Sequence, residues 1–83
     1  MNPYTFYVKT PADVKSLLAK FKKMAADGGG NLTGDEKSGS FSGDRVYGNY
    51  KVDRPNTAIT ITDKPFIYPM SAVENTIRKA IEE

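Results

Sequence analysis

The fold class this sequence predicts is α+β: an antiparallel meander sheet with two helices packed on one face. Three observations predict it. Residues 14–25 and 73–81 carry apolar side chains at the helical period. Residues 4–9 and 41–62 carry them at alternate positions. Turn residues break the second stretch twice. The chain has 83 residues, enough for one domain spanning 1–83. A chain this short buries only about 60–65% of its unfolded surface, so a deep internal site is not expected.

The elements follow in order. Tyr4, Phe6 and Val8 alternate with Thr5, Tyr7 and Lys9, the pattern of a half-buried strand. Thr10 is placed to cap the first helix, with Pro11 at its first position and Asp13 near its positive end. Val14, Leu17, Leu18, Phe21, Met24 and Ala25 make the apolar stripe, and Gly28–Gly30 ends the helix. Residues 31–38 are polar and weakly patterned, which fits either a loop or a ragged edge strand.

A hairpin turning at Gly43-Asp44 sets Phe41 opposite Val46, Ser40 opposite Tyr47 and Ser42 opposite Arg45. A second turns at Asp53–Asn56 with Pro55 at the second turn position. A four-residue loop there pairs Tyr50 with Ile59, Asn49 with Thr60, Gly48 with Ile61 and Tyr47 with Thr62. That register keeps the apolar residues on one face. Pro65 and Pro69 hold the next connection extended. Ser71 then caps the last helix, with Glu74 completing a capping box and Val73, Ile77, Ala80 and Ile81 as its stripe. The expected order is β-α-β-β-β-α. Its core draws on Tyr4, Phe6, Val8, Leu17, Phe21, Phe41, Val46, Tyr50, Ile59 and Ile61 together with Val73, Ile77 and Ile81.

The chemical inventory is short. There is no His and no Cys. That removes the commonest general base, the thiolate nucleophile and most transition-metal sites. No catalytic residue, metal or cofactor is expected, and the domain is read as a binding or accessory module rather than an enzyme. The glycines at 28–34 do not make a phosphate loop, because no Lys-Ser/Thr follows Gly34 and they end a helix instead of starting one. Lys20, Lys22 and Lys23 fit a solvated helix face. The net charge of +2 does not by itself call for nucleic acid or an anionic membrane. No run approaches the ~20 apolar residues of a membrane span. The start, Met-Asn-Pro-Tyr, lacks the form of a signal peptide. A cytoplasmic location is therefore expected, and Asn31-Leu32-Thr33 is read as a chance sequon.

From Gly39 onward the chain resembles the polyhydroxyalkanoic acid system (granule-region) proteins. The residues that carry the resemblance are Ser40-Phe41-Ser42-Gly43, Val46–Val52, Ile59–Phe66, Pro69–Glu74 and Ile77–Lys79. The glycine-rich segment at 28–34 departs from the pattern. The resemblance implies a strand, a long helix, a meander and a closing amphipathic helix, and an accessory role linked to storage-polymer granules.

Two features are candidate contact surfaces. The outward sheet face would show Tyr7, Lys9, Arg45, Tyr47 and Lys51 among threonines. Such a face suits a protein partner or self-association, and aromatics among cations also suit single-stranded nucleic acid. The Pro65–Met70 run either closes the core with Phe66 and Ile67 or presents Phe66, Tyr68 and Met70 to an apolar ligand, a polymer surface or a partner.

Overall fold

The computed structural model describes residues 2–82. The elements are β1 (Tyr4–Lys9), α1 (Val14–Asp27), β2 (Leu32–Gly34), β3 (Ser38–Gly43), β4 (Val46–Lys51), β5 (Asn56–Asp63) and α2 (Met70–Glu82). The architecture is α+β, and the order is β-α-β-β-β-β-α. The strands form a single sheet, β1-β5-β4-β3-β2, with every neighbouring pair antiparallel. β1 starts one edge. α1 carries the chain across to β2 at the other edge, and the meander walks back until β5 lies against β1.

The core lies between the sheet and both helices. Phe6 and Val8 of β1, Leu32 of β2, Tyr50 of β4, Ile59 and Ile61 of β5, and Val73 and Ile81 of α2 form one buried cluster. Leu17, Leu18 and Phe21 of α1 pack against it. Ile61 is 0% exposed. The sequence pattern supplies nearly all of these residues, with Leu32 the main addition. Tyr4 was expected inside but is exposed.

That addition explains the extra strand. Of the two alternatives for residues 31–38 the edge strand is the one present: β2 lies at the sheet edge, where Leu32 pairs opposite Phe41 and buries its side chain. Asp35 makes the return turn: its Oδ1 accepts from the backbone N–H of Lys37 (2.8 Å) and Ser38 (3.0 Å). The Tyr50 hydroxyl donates to the Asp35 carbonyl at 2.8 Å and holds the turn from below.

Both helix starts differ from the sequence expectation. Asp13, not Thr10, caps α1, accepting from Ser16 N (3.1 Å) and Ser16 Oγ (2.7 Å). Thr10 is buried and serves the sheet instead. It bonds the Asp53 carbonyl and the Thr57 hydroxyl, and its N–H donates to Pro55 O at 2.9 Å. For α2, the Pro69 carbonyl takes the first bonds, from Ala72 N (3.1 Å) and Val73 N (3.3 Å), so Ser71 lies inside the helix. Glu74 is then not a capping-box acid. It accepts from the Tyr4 hydroxyl at 2.6 Å and from Arg78 Nε at 2.7 Å. Arg78 in turn lies 5.2 Å from the Phe6 ring centroid, a cation–π contact. These contacts fasten α2 to β1, and Lys20 Nζ of α1 donates to the Ala80 carbonyl at 2.8 Å, tying the helices together.

The helix end at 28–30 follows expectation. Gly29, at φ 79°, donates to Ala26 O, and Gly30 donates to Ala25 O, the paired bonds of a Schellman ending. The first hairpin turns one residue later than expected, at Asp44-Arg45, both left-handed (φ 52° and 65°). The pairing shifts by two residues, so every side chain keeps its face while its partner changes. Phe41 now faces Gly48 rather than Val46, Ser40 faces Asn49, and Ser42 faces Tyr47. The later turn lets Asp44 N–H donate to Gly28 O at 2.8 Å, joining the hairpin tip to the end of α1. In the second hairpin Tyr50–Ile59, Asn49–Thr60 and Gly48–Ile61 pair as expected, but an irregularity beyond Gly48 sets Tyr47 against Asp63 instead of Thr62. Pro55 is the third of the four residues Asp53–Asn56 rather than the second, and the Arg54–Pro55 peptide bond is cis.

Two outcomes follow. Ile61→Ala should lose about 2–5 kcal/mol in urea unfolding, as cavity-forming core changes do. Gly48→Ala should also destabilise, because an added Cβ would sit 2.5 Å from the Phe41 ring and 2.4 Å from the Thr60 carbonyl oxygen. The second outcome concerns acid. The Tyr4 hydrogen bond and then Arg78 hold Glu74 below the ordinary glutamate value of 4.5. Hydrogen bonds from Ser16 hold Asp13 below its ordinary 3.8, and those from Ser38 and Lys37 do the same for Asp35. Depressed carboxyl values stabilise above the unfolded value, and that stability is lost as pH falls through the folded one. The urea midpoint should therefore decline as pH drops below 4.5, and Glu74→Gln should make the decline shallower.

Candidate functional site

Strand pairing places each residue of the open sheet face. One row crosses the whole sheet: Thr5, Thr60, Asn49, Ser40, Thr33. Within it the Thr5 and Thr60 hydroxyls lie 2.8 Å apart and those of Thr33 and Ser40 3.2 Å apart. Tyr7, 61% exposed, lies in the next row with Ala58 and Lys51. Lys9 follows Tyr7 on the same face, opposite Asn56. Tyr47, 50% exposed, lies beyond the hydroxyl row at the other end, opposite Ser42. Arg45 is not on the face at all: it occupies the hairpin turn.

The residues chosen from the sequence thus fall into two groups. Tyr7, Lys9 and Lys51 lie together, and Tyr47 and Arg45 lie together. Two strand spacings and four residues separate Tyr7 from Tyr47, roughly 16 Å at ~4.8 Å per strand and ~3.3 Å per residue. Hydroxyls and an amide fill the space between. The two aromatics therefore form no common stacking platform. Asp44 and Asp63 accompany the Tyr47 end, so its charge is mixed.

The other feature is the connection from β5 to α2. Tyr68 N–H donates to the Pro65 carbonyl at 3.1 Å, closing a turn with Phe66 and Ile67 at its centre. Phe66 is 98% exposed and Ile67 73%. The core-closing role expected for these two is not what they do. Tyr68 and Met70 fold back and pack against the core. Tyr68, chosen as a contact residue, is half-buried and acts as the foot of the loop. Lys64 Nζ reaches the Pro65 carbonyl at 3.5 Å, beside the tip. The sequence did hold a signal for this division. Between the two prolines, the central pair of a four-residue turn points outward, while its last residue returns to the body.

Two clefts complete the surface. One, of about 500 Å³, lies between Lys15, Leu18 and Lys22 of α1 and the turn at Asp35–Lys37. An exposed Lys15–Glu36 contact of 3.6 Å crosses it. The other, of about 310 Å³, lies against Gly28–Gly30 and the tip of the β3–β4 hairpin. The glycines there end α1, so the local helix dipole is negative and unsuited to phosphate. Lys20 is engaged with Ala80, which divides the lysines of α1. Among the described residues no three His, Cys, Asp or Glu side chains converge as a metal site, and no helix is long and apolar enough to cross a membrane. No family model, curated protein or solved structure matches the chain.

The loop geometry makes a direct stability forecast. Phe66→Ser and Ile67→Ser should each change unfolding free energy by less than about 0.5 kcal/mol, as exposed substitutions do. Met70→Ala should cost clearly more, because that side chain packs on the core. Urea titrations of the three variants check this.

Proposed function

We propose that this chain is a non-catalytic binding domain that seats the Phe66–Ile67 tip on an apolar surface. The observation that carries this reading is the 98% exposure of Phe66, beside an exposed Ile67, on a loop whose ends are anchored. A lone exposed apolar residue needs no explanation. Two adjacent large ones, lifted clear of the body by a turn between prolines, are arranged for contact.

The energetics fit a surface contact. Burying a large apolar side chain is worth about 1.5–3 kcal/mol, so the pair supplies ~3–6 kcal/mol before the cost of association. That supports weak, reversible adsorption and needs only a small footprint. A storage-polymer granule, the setting implied by the resemblance over 39–79, offers such a surface, and a lipid layer offers another. The clamped turn helps, because little loop freedom remains to be lost on binding. The lack of His and Cys supports the non-catalytic part of the reading.

Full-length protein should be retained by phenyl-derivatised beads and by polyhydroxybutyrate particles. The Phe66→Ser/Ile67→Ser double variant should lose at least about tenfold in retention at unchanged stability. Parallel runs on phosphatidylcholine vesicles separate lipid from polymer. Equal retention of the double variant would exclude the tip as the contact.

A further inference from the structure

The two sheet edges are not alike. β2 has three residues and ends on Gly34, a short edge of the kind that resists pairing. β1 has six, pairs with β5 in unbroken register, and contains no proline or bulge. Its other side has no strand against it among the described residues.

The hydrogen-bonding groups on that side can be identified. Thr10 N–H donates toward β5, to Pro55 O. Backbone direction alternates along an antiparallel strand, so Tyr4, Phe6 and Val8 also point their N–H and C=O toward β5. Thr5, Tyr7 and Lys9 then direct theirs outward. We propose that β1 of one copy pairs antiparallel with β1 of a second copy about a two-fold axis at Tyr7, making one continuous sheet.

Register and charge select that occupant and that centre. With Tyr7 opposite Tyr7 and Thr5 opposite the second copy's Lys9, every outward N–H and C=O finds a partner. The two tyrosines, already the most exposed aromatics of the sheet face, meet across the axis. A centre at Phe6 instead sets Lys9 against Pro3, which has no N–H to give. A centre between residues turns the core face of one copy against the outer face of the other. Lys9 is the one charged residue of β1. The centred register places the two Lys9 residues about 14 Å apart, beyond the ~10 Å screening length at 0.1 M salt. A strand of six residues is only about 20 Å long, and its strip falls well short of the ~800 Å² per partner of stable complexes. The dimer is accordingly weak and dependent on concentration. The Phe66–Ile67 tip lies beyond the end of β5 and supplies no residue to this register, so the pairing does not rest on the reading of the loop.

Sedimentation of the full chain from about 10 µM to 1 mM should show the average mass rising toward twice the monomer. The Phe66→Ser/Ile67→Ser variant should behave identically. Tyr7→Pro removes an N–H that β5 does not use, and edge strands tolerate proline there. It should raise the dissociation constant at least about tenfold with the fold retained. If Tyr7→Pro fails to fold, cross-linking decides. The chain lacks Cys, so Tyr7→Cys should join rapidly through a short thiol–thiol linker, since opposed residues lie about 5.5 Å apart. Thr5→Cys, about 14 Å from its twin, should not. A monomer at all concentrations, a dimer lost with the tip variant, a folded Tyr7→Pro that still dimerises, or equal cross-linking at both positions would overturn the proposal.

Discussion

The pairing of β1 with β5 is the contact on which the rest of the molecule depends. It joins residues 4–9 to residues 56–61, more than half the chain apart. It also sets Phe6 opposite Ile59 and Tyr4 opposite Ile61, so the most buried residues of the core come from the two strands farthest apart in sequence. A meander alone could form from local turns. Closing it against β1 requires α1 to span the sheet, and that span buries the apolar stripe of α1 over the far strands. Such a contact carries a large loop-closure cost, which the buried cluster must offset.

Several polar side chains leave their local duties to support this closure. Thr10 stands where a helix cap would be, yet it bonds Asp53 and Thr57 and secures the start of β5 against the end of β1. Glu74 stands where a capping-box acid would be, yet it accepts from Tyr4 on β1. Thr10 makes its bonds in a buried place, where an unpaired polar group costs more than an uncapped helix end open to water, whereas the Tyr4–Glu74 bond is exposed. The cap is then supplied by a neighbour: Asp13 for α1 and the Pro69 carbonyl for α2.

Closure also bears on function. Once Tyr68 and Met70 seal the gap between β5 and α2, the two residues between the prolines have no place inside. Phe66 and Ile67 are exposed because the core is already complete without them. The same topology leaves β1 as a long, regular edge, because among the described residues it has β5 on one side only. Tip and edge share no residue.

Hydrophobic period and turn chemistry were readable from the sequence alone. Period 3.6 marked both helices, period 2 marked the four longer strands and the inward face of each, and Gly28–Gly30 marked the end of α1. These are local properties, set by backbone geometry within a few residues. Even the misplaced turn at Gly43-Asp44 preserved the faces, since its error was an even shift. The strand at 32–34 was not separable from a loop because three residues carry too little pattern, and only Phe41 opposite makes Leu32 a core residue. Tertiary structure alone decided the position of β1, the work of Thr10 and Glu74, and the separation of Tyr7 from Tyr47. Each of these depends on which remote group arrives alongside. A side chain's own neighbours in sequence set its direction, but not what it meets there.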